Sequence, residues 1–137
     1  MDRKTNILKR FVIYMAILTF VMFTAWALVK SFMNKPPGDY HTEVCDIRLK
    51  DKKYSEALEA ANTALEKSPN HRGALMCKAL VFISEKKYYE ATEELNYLIE
   101  FLKNNLEDDD KTGIGTLAAA YANRGIIRIE AKIIKVP

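Results

Sequence analysis

KYSEA at residues 53–57 and KYYEA at residues 87–91 are two near-copies of one pentapeptide. A fixed period in the range of roughly 20 to 50 residues marks repeat architectures, and the interval from Lys53 to Lys87 falls in this range and indicates a helical repeat. Around each copy the sequence reads as a helix, a tight turn and a second helix. We therefore predict paired helices over residues 40–50 with 54–67, and over residues 73–84 with 88–104.

A further helix is predicted near the end of the chain. YANRG at residues 121–125 resembles the start of another first helix, which would continue from Ile126 to Lys132. We expect an insertion over residues 104–115 to separate it from the second pair. In that second pair, apolar residues follow the three-and-four spacing of buried helix faces, at Leu75, Ala79, Phe82, Ala91, Leu95, Leu98 and Leu102.

These residues resemble the tetratricopeptide repeat family, whose motif places small, aromatic and proline residues at fixed positions of the unit. The copies depart from it at Arg48 and Leu98, where an aromatic residue and an alanine are usual. The resemblance implies an all-α fold, a short solenoid of helical hairpins with two repeats and a partial third. The repeat-packing positions are filled by Tyr54, Ala57, Ala64 and Pro69 in the first copy and by Ala79, Phe82, Tyr88, Ala91 and Leu95 in the second.

The resemblance also implies a concave, partner-binding surface lined by the first helix of each pair. Its apolar members Met76, Leu80 and Ile83 would accept a hydrophobic segment, unless the last helix covers them as core. Fewer than three full repeats leave apolar faces uncovered, so we expect docking on another polypeptide or self-association. The implied surface comprises Asp39, Thr42, Asp46, Leu49, Lys50, Met76, Leu80, Ile83 and Ser84, and the terminal isoleucines Ile126, Ile129 and Ile133 extend it.

An apolar segment precedes the repeats, because FVIYMAILTFVMFTAWALV at residues 11–29 contains no charge. At about 1.5 Å per residue it covers about 28 Å, close to the thickness of a bilayer's hydrocarbon core. We predict a transmembrane helix at residues 11–33, between a basic tail at 1–10 and a linker at 34–38 that leads to the repeat domain at 39–137. A cleaved signal peptide is the alternative, but its apolar core usually has roughly 7 to 15 residues, so we interpret the segment as an uncleaved signal anchor.

The charges around this segment predict its orientation. Four basic residues precede it, whereas Lys30 and Lys35 are the only two between it and Gly38. The positive-inside rule then favours a cytoplasmic N-terminus and a repeat domain on the outer, periplasmic side. The four preceding residues are Arg3, Lys4, Lys9 and Arg10.

The chemistry of the chain argues against several classes of function. The overall charge of +3 belongs to the N-terminal segment, because residues 38–137 carry 15 basic against 17 acidic side chains. The absence of a basic excess in these residues argues against nucleic-acid binding.

His41 and His71 lack partners at metal-binding spacing, and no glycine-rich phosphate loop occurs, so we predict no enzyme, no cofactor and no metal site. Residues 107–113 imitate the start of a calcium loop, but Ala119 stands where a glutamate is required.

Cys45 and Cys77 lie far apart in the sequence and do not form a CxxC motif. A disulfide is possible if the repeat domain lies outside the cytoplasm. We favour instead a role for each as a small buried residue.

We therefore expect a single-pass, membrane-anchored scaffold or accessory subunit that binds a partner protein, as one subunit of a membrane complex, through its helical repeats. The alternative is a chaperone-like receptor for exported or imported polypeptides. Its partners would be proteins and the lipid bilayer, and the chain could also form homo-oligomers.

Overall fold

The computed structural model describes residues 3–33 and 36–134, and this part of the chain contains six α-helices and no strand. The all-α class predicted from the sequence is confirmed for these residues. Two compact units are present, Met1–Lys35 and Pro36–Pro137. Parts of the predicted basic tail (residues 1–2), linker (residues 34–35) and repeat domain (residues 135–137) lie outside the described residues.

The first unit is one long helix, α1, which spans Arg3–Met33. Within it, Asn6–Ser31 is long and apolar enough to cross a membrane, with a mean hydropathy of 2.2. Its threonine hydroxyls bond to carbonyls of the same helix, Thr19 to Met15 and Ala16, and Thr24 to Val21. The helix can therefore enter lipid without unsatisfied polar side chains at these two positions. From Arg3 onward the predicted basic tail is itself helical.

The second unit contains five helices whose bounds follow the sequence pattern. They are α2 (Asp39–Lys50), α3 (Tyr54–Lys67), α4 (Arg72–Ser84), α5 (Tyr88–Asn105) and α6 (Lys111–Ile134). The four helices predicted around the repeated pentapeptides are confirmed, and their bounds agree closely with the prediction.

The predicted insertion over residues 104–115 is wrong at both ends. Residue 105 still belongs to α5, and α6 begins at Lys111, so residues 111–115 of the predicted insertion are helical. The Asp110 side chain accepts a hydrogen bond of 2.8 Å from the Gly113 N–H, which satisfies a free donor in the first turn of α6. This hydrogen bond stabilises the first turn of α6. The side chains of Leu106, Arg72 and Asp110 also pack closely around Gly113, so this glycine-containing segment is helical.

The turns that end α2 and α4 have the same hydrogen-bonding pattern. In the first, the Lys52 N–H bonds to the Leu49 carbonyl and the Lys53 N–H bonds to the Arg48 carbonyl. In the second, Lys86 bonds to Ile83 and Lys87 to Phe82 in the same way. Each turn has one lysine in the left-handed region, as in the Schellman motif. The period seen in the sequence is thus repeated in the backbone.

The second unit has two clusters of buried side chains. One joins α2, α3 and α4 and is built from small residues: Cys45, Ala57, Ala60, Ala61, Cys77 and Val81. The other joins α4, α5 and α6: Leu75, Ala79, Ala91, Leu95, Leu98, Ile99, Leu102, Ala120 and Ile127. The alanines of α3 allow its backbone to lie close to its neighbours, because small side chains shorten the distance between packed helices.

A disulfide between Cys45 and Cys77 ties α2 to α4, with their Cα atoms 6.4 Å apart. The preference for two free buried thiols was therefore wrong, although both cysteines are buried as expected. Their wide separation in sequence gave no information on distance in space. The bond crosses the smaller cluster and fixes the spacing of the two first helices.

The helices of the second unit pack in a regular order. Each contacts the next in sequence, from α2 to α6, and α4 also contacts both α2 and α6. Within the described residues, α3 and α5 make no such contact with each other. The helices α2, α4 and α6 therefore form one side of the unit, and this side bears the candidate site.

Candidate functional site

A groove runs along the surface formed by α2, α4 and α6. It consists of two neighbouring cavities of about 570 Å³ and about 370 Å³, which share Gly73, Thr112 and Thr116. We refer to both cavities together as the α2–α4–α6 groove. The larger cavity is also lined by Pro36, Asp39, Asn70, His71, Arg72 and Phe101, and the smaller by Asp46, Met76, Cys77, Gly115 and Ala119.

Gly73 forms part of the groove where α2 and α4 approach each other. A Cβ atom at this position would lie 2.9 Å from the Thr42 methyl group, closer than side chains normally allow. The absence of a side chain therefore permits the contact between the first turns of the two helices.

His71 is the N-cap of α4 and connects this helix to α2. Its Nδ1 atom accepts a hydrogen bond of 3.2 Å from the Ala74 N–H, so the ring proton is on Nε2 in the neutral form. Nε2 lies 2.7 Å from Asp39 Oδ1, to which it donates. The imidazole thus bridges the first turn of α2 and the first turn of α4.

The spatial order of Thr42, His71 and Asp39 is that of a catalytic triad, in which a hydroxyl, a base and a carboxylate that orients the base lie in sequence. The Thr42 hydroxyl lies 3.3 Å from His71 Nδ1, but it donates instead to the Gly38 carbonyl at 3.1 Å. The lone pair of Nδ1 that a general base would use already accepts the Ala74 N–H. The contacts give these three side chains a structural role, which is to hold the end of the groove together.

Arg72 and Asp110 connect the start of α4 to the start of α6. The Arg72 guanidinium donates a hydrogen bond to Asp110 Oδ2. This hydrogen bond, together with the one from the Gly113 N–H, lowers the pKa of the Asp110 carboxyl below its usual value. Asp110 therefore stays ionised to lower pH than a free aspartate, and it links two helices while it caps one.

Asp46 lies on the α2 side of the smaller cavity. It forms no ion pair of 4 Å or less among the described residues. Partial loss of contact with water raises the pKa of its carboxyl, while the nearby Lys50 ammonium lowers it. Asp46 is thus a groove carboxylate that is available to a basic group of a ligand.

The groove contains some of the partner-binding residues predicted from the sequence. Asp39, Asp46 and Met76 line it, and Thr42 does not line it but lies next to His71 and Gly73, which do. Leu49 packs instead against the smaller core cluster. Met76 and Ile83 pack against the cluster that includes Ala120 and Ile127 of α6, so the last helix covers part of this apolar set. Leu80 is half-buried.

The terminal isoleucines divide between two faces of α6. Ile127 is buried against α5, whereas Ile126, Ile129 and Ile133 have 46%, 62% and 68% of their surface exposed. The described helices of the second unit therefore leave these three terminal isoleucines in contact with solvent, as the distribution of isoleucines predicted.

Several residues of the groove were not predicted. Asn70, His71 and Arg72 precede or start α4. Thr112 and Gly115 belong to the part of α6 that was predicted to be an insertion, and Thr116 directly follows it. The Asp110 cap was the available signal, because an aspartate followed by a polar first turn is typical of a helix start. The bond between His71 and Asp39 had no comparable signal.

No protein-family model, curated protein or solved structure matched the chain. Among the described residues there is also no group of three or more histidine, cysteine, aspartate or glutamate side chains that could hold a metal ion.

Proposed function

We propose that the chain is a single-pass, membrane-anchored adaptor that holds a partner polypeptide in the α2–α4–α6 groove, with its helices arranged as in tetratricopeptide repeats. The observation that carries this proposal is the groove itself, formed by three alternate helices of one unit. In repeat proteins of this type the surface of stacked helices is where partners bind. The adaptor would serve as a scaffold or accessory subunit of a membrane complex.

Two features support the repeat arrangement. The turns at Lys52 and Lys86 have the same hydrogen bonds and the same left-handed residue. Ala57 and Ala91, which end the two copies of the repeated pentapeptide, are both fully buried near the start of a second helix. Equivalent residues thus have equivalent roles in the two hairpins α2–α3 and α4–α5, and α6 occupies the place of a third first helix.

The lining of the groove defines the kind of segment that it accepts. Asp39 and Arg72 are already engaged by His71 and Asp110, so Asp46 is the charge that a ligand would meet. Met76 and Ala119 lie nearby in the smaller cavity. We expect a segment that presents a lysine or arginine to Asp46 and a small apolar side chain to the neighbouring surface.

The disulfide supports placing the helical unit outside the cytoplasm. Disulfides persist in oxidising compartments and are rare in the cytosol. The basic residues before α1 favour the same orientation, with a cytoplasmic N-terminus and a periplasmic helical unit. Under this proposal α1 is an uncleaved anchor that confines the adaptor and its partner to one membrane, which raises their effective concentration.

The groove can be tested by copurification of the full chain through a C-terminal tag in mild detergent, followed by mass spectrometry. Asp46→Lys reverses the free charge of the groove, whereas Asp51→Lys makes the same change just after α2, at a residue that does not line the groove. We expect a stoichiometric partner that Asp51→Lys retains and Asp46→Lys loses. Equal recovery with both variants would contradict the proposal. Recovery of many unrelated unfolded polypeptides would favour a chaperone-like receptor instead.

A further inference from the structure

The surface of α6 carries an exposed apolar stripe. At about 100° per residue its members fall within an arc of roughly 80°, and from residue 115 to residue 133 no polar side chain lies inside this arc. We refer to the stripe as the α6 stripe. It consists of six exposed residues at intervals of three and four: Gly115, Ala119, Ala122, Ile126, Ile129 and Ile133.

The described helices of the second unit do not cover the α6 stripe. The described residues of α6 that are buried are Gly113, Ala120 and Ile127, which lie on another face of the helix. A Cβ atom added at Gly115 would meet no atom within 4 Å. Any contact that removes the α6 stripe from water therefore comes from another molecule or from residues outside the described part of the chain.

The α6 stripe is continuous with the α2–α4–α6 groove. Gly115 and Ala119 belong to both, because they line the smaller cavity together with Asp46. From Gly115 to Ile133 the stripe extends about 27 Å along the helix axis. A segment that lies in the smaller cavity thus meets an uninterrupted apolar surface that leads out of the groove, and the occupant of the groove can cover both.

The stripe offers no hydrogen bond to the main chain of such a segment. Its side chains are apolar, and the N–H and C=O groups of α6 between Gly115 and Ile129 are bonded within the helix. An extended segment that covered the isoleucines would remove some of its own N–H and C=O groups from water without replacing their hydrogen bonds. A helix satisfies its own main chain, so it can cover this surface without that cost.

The spacing of the stripe also matches a helix. Its side chains recur about once per turn of α6, or about every 5.4 Å along the axis. Side chains on one face of a second helix recur at the same interval, so the two sets interdigitate over the whole stripe. Side chains on one face of an extended segment recur about every 6.6 Å and lose register with the stripe over its length.

The sizes of the side chains allow a close approach at the groove end. Gly115, Ala119 and Ala122 are small, and the distance between two packed helices is shorter where the side chains at the contact are small. The three isoleucines provide large apolar side chains at the other end. Asp46 supplies a charge beside the small end, next to Gly115 and Ala119.

We infer that the partner segment held in the groove is an amphipathic α-helix of about 18 residues, whose apolar face packs along the whole α6 stripe. Its apolar side chains recur at intervals of three and four, and a lysine or arginine near one end lies beside Asp46. The inference rests on the proposed function, because it identifies the occupant of the same groove. It adds the secondary structure of that occupant and its contact with Ile126, Ile129 and Ile133.

Photocrosslinking in cells that express the chain naturally tests the conformation of the segment. The photoreactive residue p-benzoylphenylalanine is introduced into the full chain at Ala119 or at Ile129, and mass spectrometry maps the crosslinked residue of the partner. The two positions are about 15 Å apart along α6, so a helical partner should give mapped residues about ten apart in its sequence. An extended partner would give a separation of about four or five residues.

The control position for this experiment is Asn62. It is exposed on α3, which makes no contact with α6 among the described residues, and should give no adduct with the same partner. An adduct at Ala119 alone, or a separation of about four or five residues, would overturn the inference and leave the groove proposal standing. No adduct at Ala119 would contradict both proposals. Equal adducts at Asn62, or adducts that link two copies of this chain, would also overturn the inference.

The close approach at Gly115 is tested by copurification of the full chain with the crosslinked partner. Gly115→Leu should keep the fold, because an added Cβ atom meets no atom within 4 Å and leucine is the better helix former. We expect recovery of the partner to fall at least about tenfold while the thermal unfolding midpoint does not fall.

Gly125→Leu is the matched control. Gly125 is also a glycine of α6 where an added Cβ atom meets no atom within 4 Å, and it lies about 80° from the middle of the α6 stripe. This variant should retain the partner. Retention of the partner by Gly115→Leu, or its equal loss in both variants, would overturn the packing of a helix on the stripe.

Discussion

Lys52 and Lys86 each directly precede one copy of the repeated pentapeptide and have nearly the same left-handed backbone, with φ values of 59° and 58°. Each lysine is the second residue after the end of its helix, α2 or α4. The residue that follows the lysine closes the turn, because its N–H donates a hydrogen bond to a carbonyl five residues back. A side chain at such φ values costs about 1 to 2 kcal/mol relative to glycine. Both turns keep lysine nevertheless, so the chain tolerates the same local strain in both repeats.

Replacing Lys52 with glycine should therefore stabilise the protein. Relief of the left-handed strain outweighs the greater flexibility of glycine in the unfolded chain, which costs about 0.5 to 1 kcal/mol. We expect the free energy of unfolding, measured by urea denaturation, to rise by about 0.5 to 1 kcal/mol. Lys50→Gly, two residues earlier inside α2, should lower it by up to about 1 kcal/mol. Equal destabilisation by both changes would contradict the assigned turn.

The pair formed by Asp110 and Arg72 should make the stability of the protein depend on pH. In the folded state the hydrogen bond from the Arg72 guanidinium, and after it that from the Gly113 N–H, lowers the pKa of the Asp110 carboxyl below its usual value. A carboxyl whose pKa is lower in the folded state than in the unfolded state stabilises the protein at pH values above its unfolded-state pKa. This contribution is lost as the pH falls through its folded-state pKa. Asp110→Asn should thus be less stable than the wild type near pH 7, and this difference should shrink as the pH falls through the lowered pKa of the Asp110 carboxyl.

Urea denaturation at a series of pH values measures this difference directly. Asp109→Asn serves as the control, because the Asp109 side chain is exposed and forms no ion pair of 4 Å or less among the described residues. Its stability should follow that of the wild type at every pH. A constant difference between Asp110→Asn and the wild type down to low pH would show that the charge of Asp110 has no part in the link.

Reduction of the disulfide between Cys45 and Cys77 should destabilise the helical unit. The bond joins residues 32 positions apart, and a loop of this size lowers the entropy of the unfolded chain by an amount worth about 3 to 4 kcal/mol. We expect the thermal unfolding midpoint to fall in the presence of a thiol reductant. The double variant Cys45→Ala with Cys77→Ala should unfold at the same temperature with and without reductant.

The same bond provides a test of topology. If the helical unit lies in an oxidising compartment, both cysteines should resist alkylation in a denatured cell extract, where burial no longer protects them, until a reductant is added. Alkylation of Cys45 and Cys77 in the absence of reductant would instead place the unit in a reducing compartment.

The sequence predicted the helical hairpins well because their signals are local. Apolar residues at intervals of three and four define α4 and α5, and Pro69 marks the end of the first pair. The start of α6 escaped prediction because Gly113 and Gly115 are poor helix formers. Gly113 is helical in a position where an added Cβ atom would clash with Leu106, Arg72 and Asp110, so tertiary contacts decide its conformation.

The candidate site was harder to predict than the fold. The bond between His71 and Asp39 joins residues 32 positions apart, and so does the disulfide. Both connect α2 to α4, and such contacts depend on how the helices pack rather than on any local pattern. The α2–α4–α6 groove could be assigned only from the structure, because it depends on the contact between α6 and α4 and on the start of α6 at Lys111.

The close packing of α3 gives a final prediction. Ala57 is fully buried in the smaller cluster, at the position equivalent to Ala91 of α5. Leucine at this position would add three carbon atoms at a fully buried site between packed helices, so Ala57→Leu should lower the free energy of unfolding by about 1 to 3 kcal/mol. Ser55→Leu makes a comparable substitution at an exposed residue of the same helix, and Asp109→Ala changes an exposed residue outside it. Both should remain within about 0.5 kcal/mol of the wild type. If chemical denaturation gives Ala57→Leu the stability of these controls, the two repeats do not share the packing that their sequences predict.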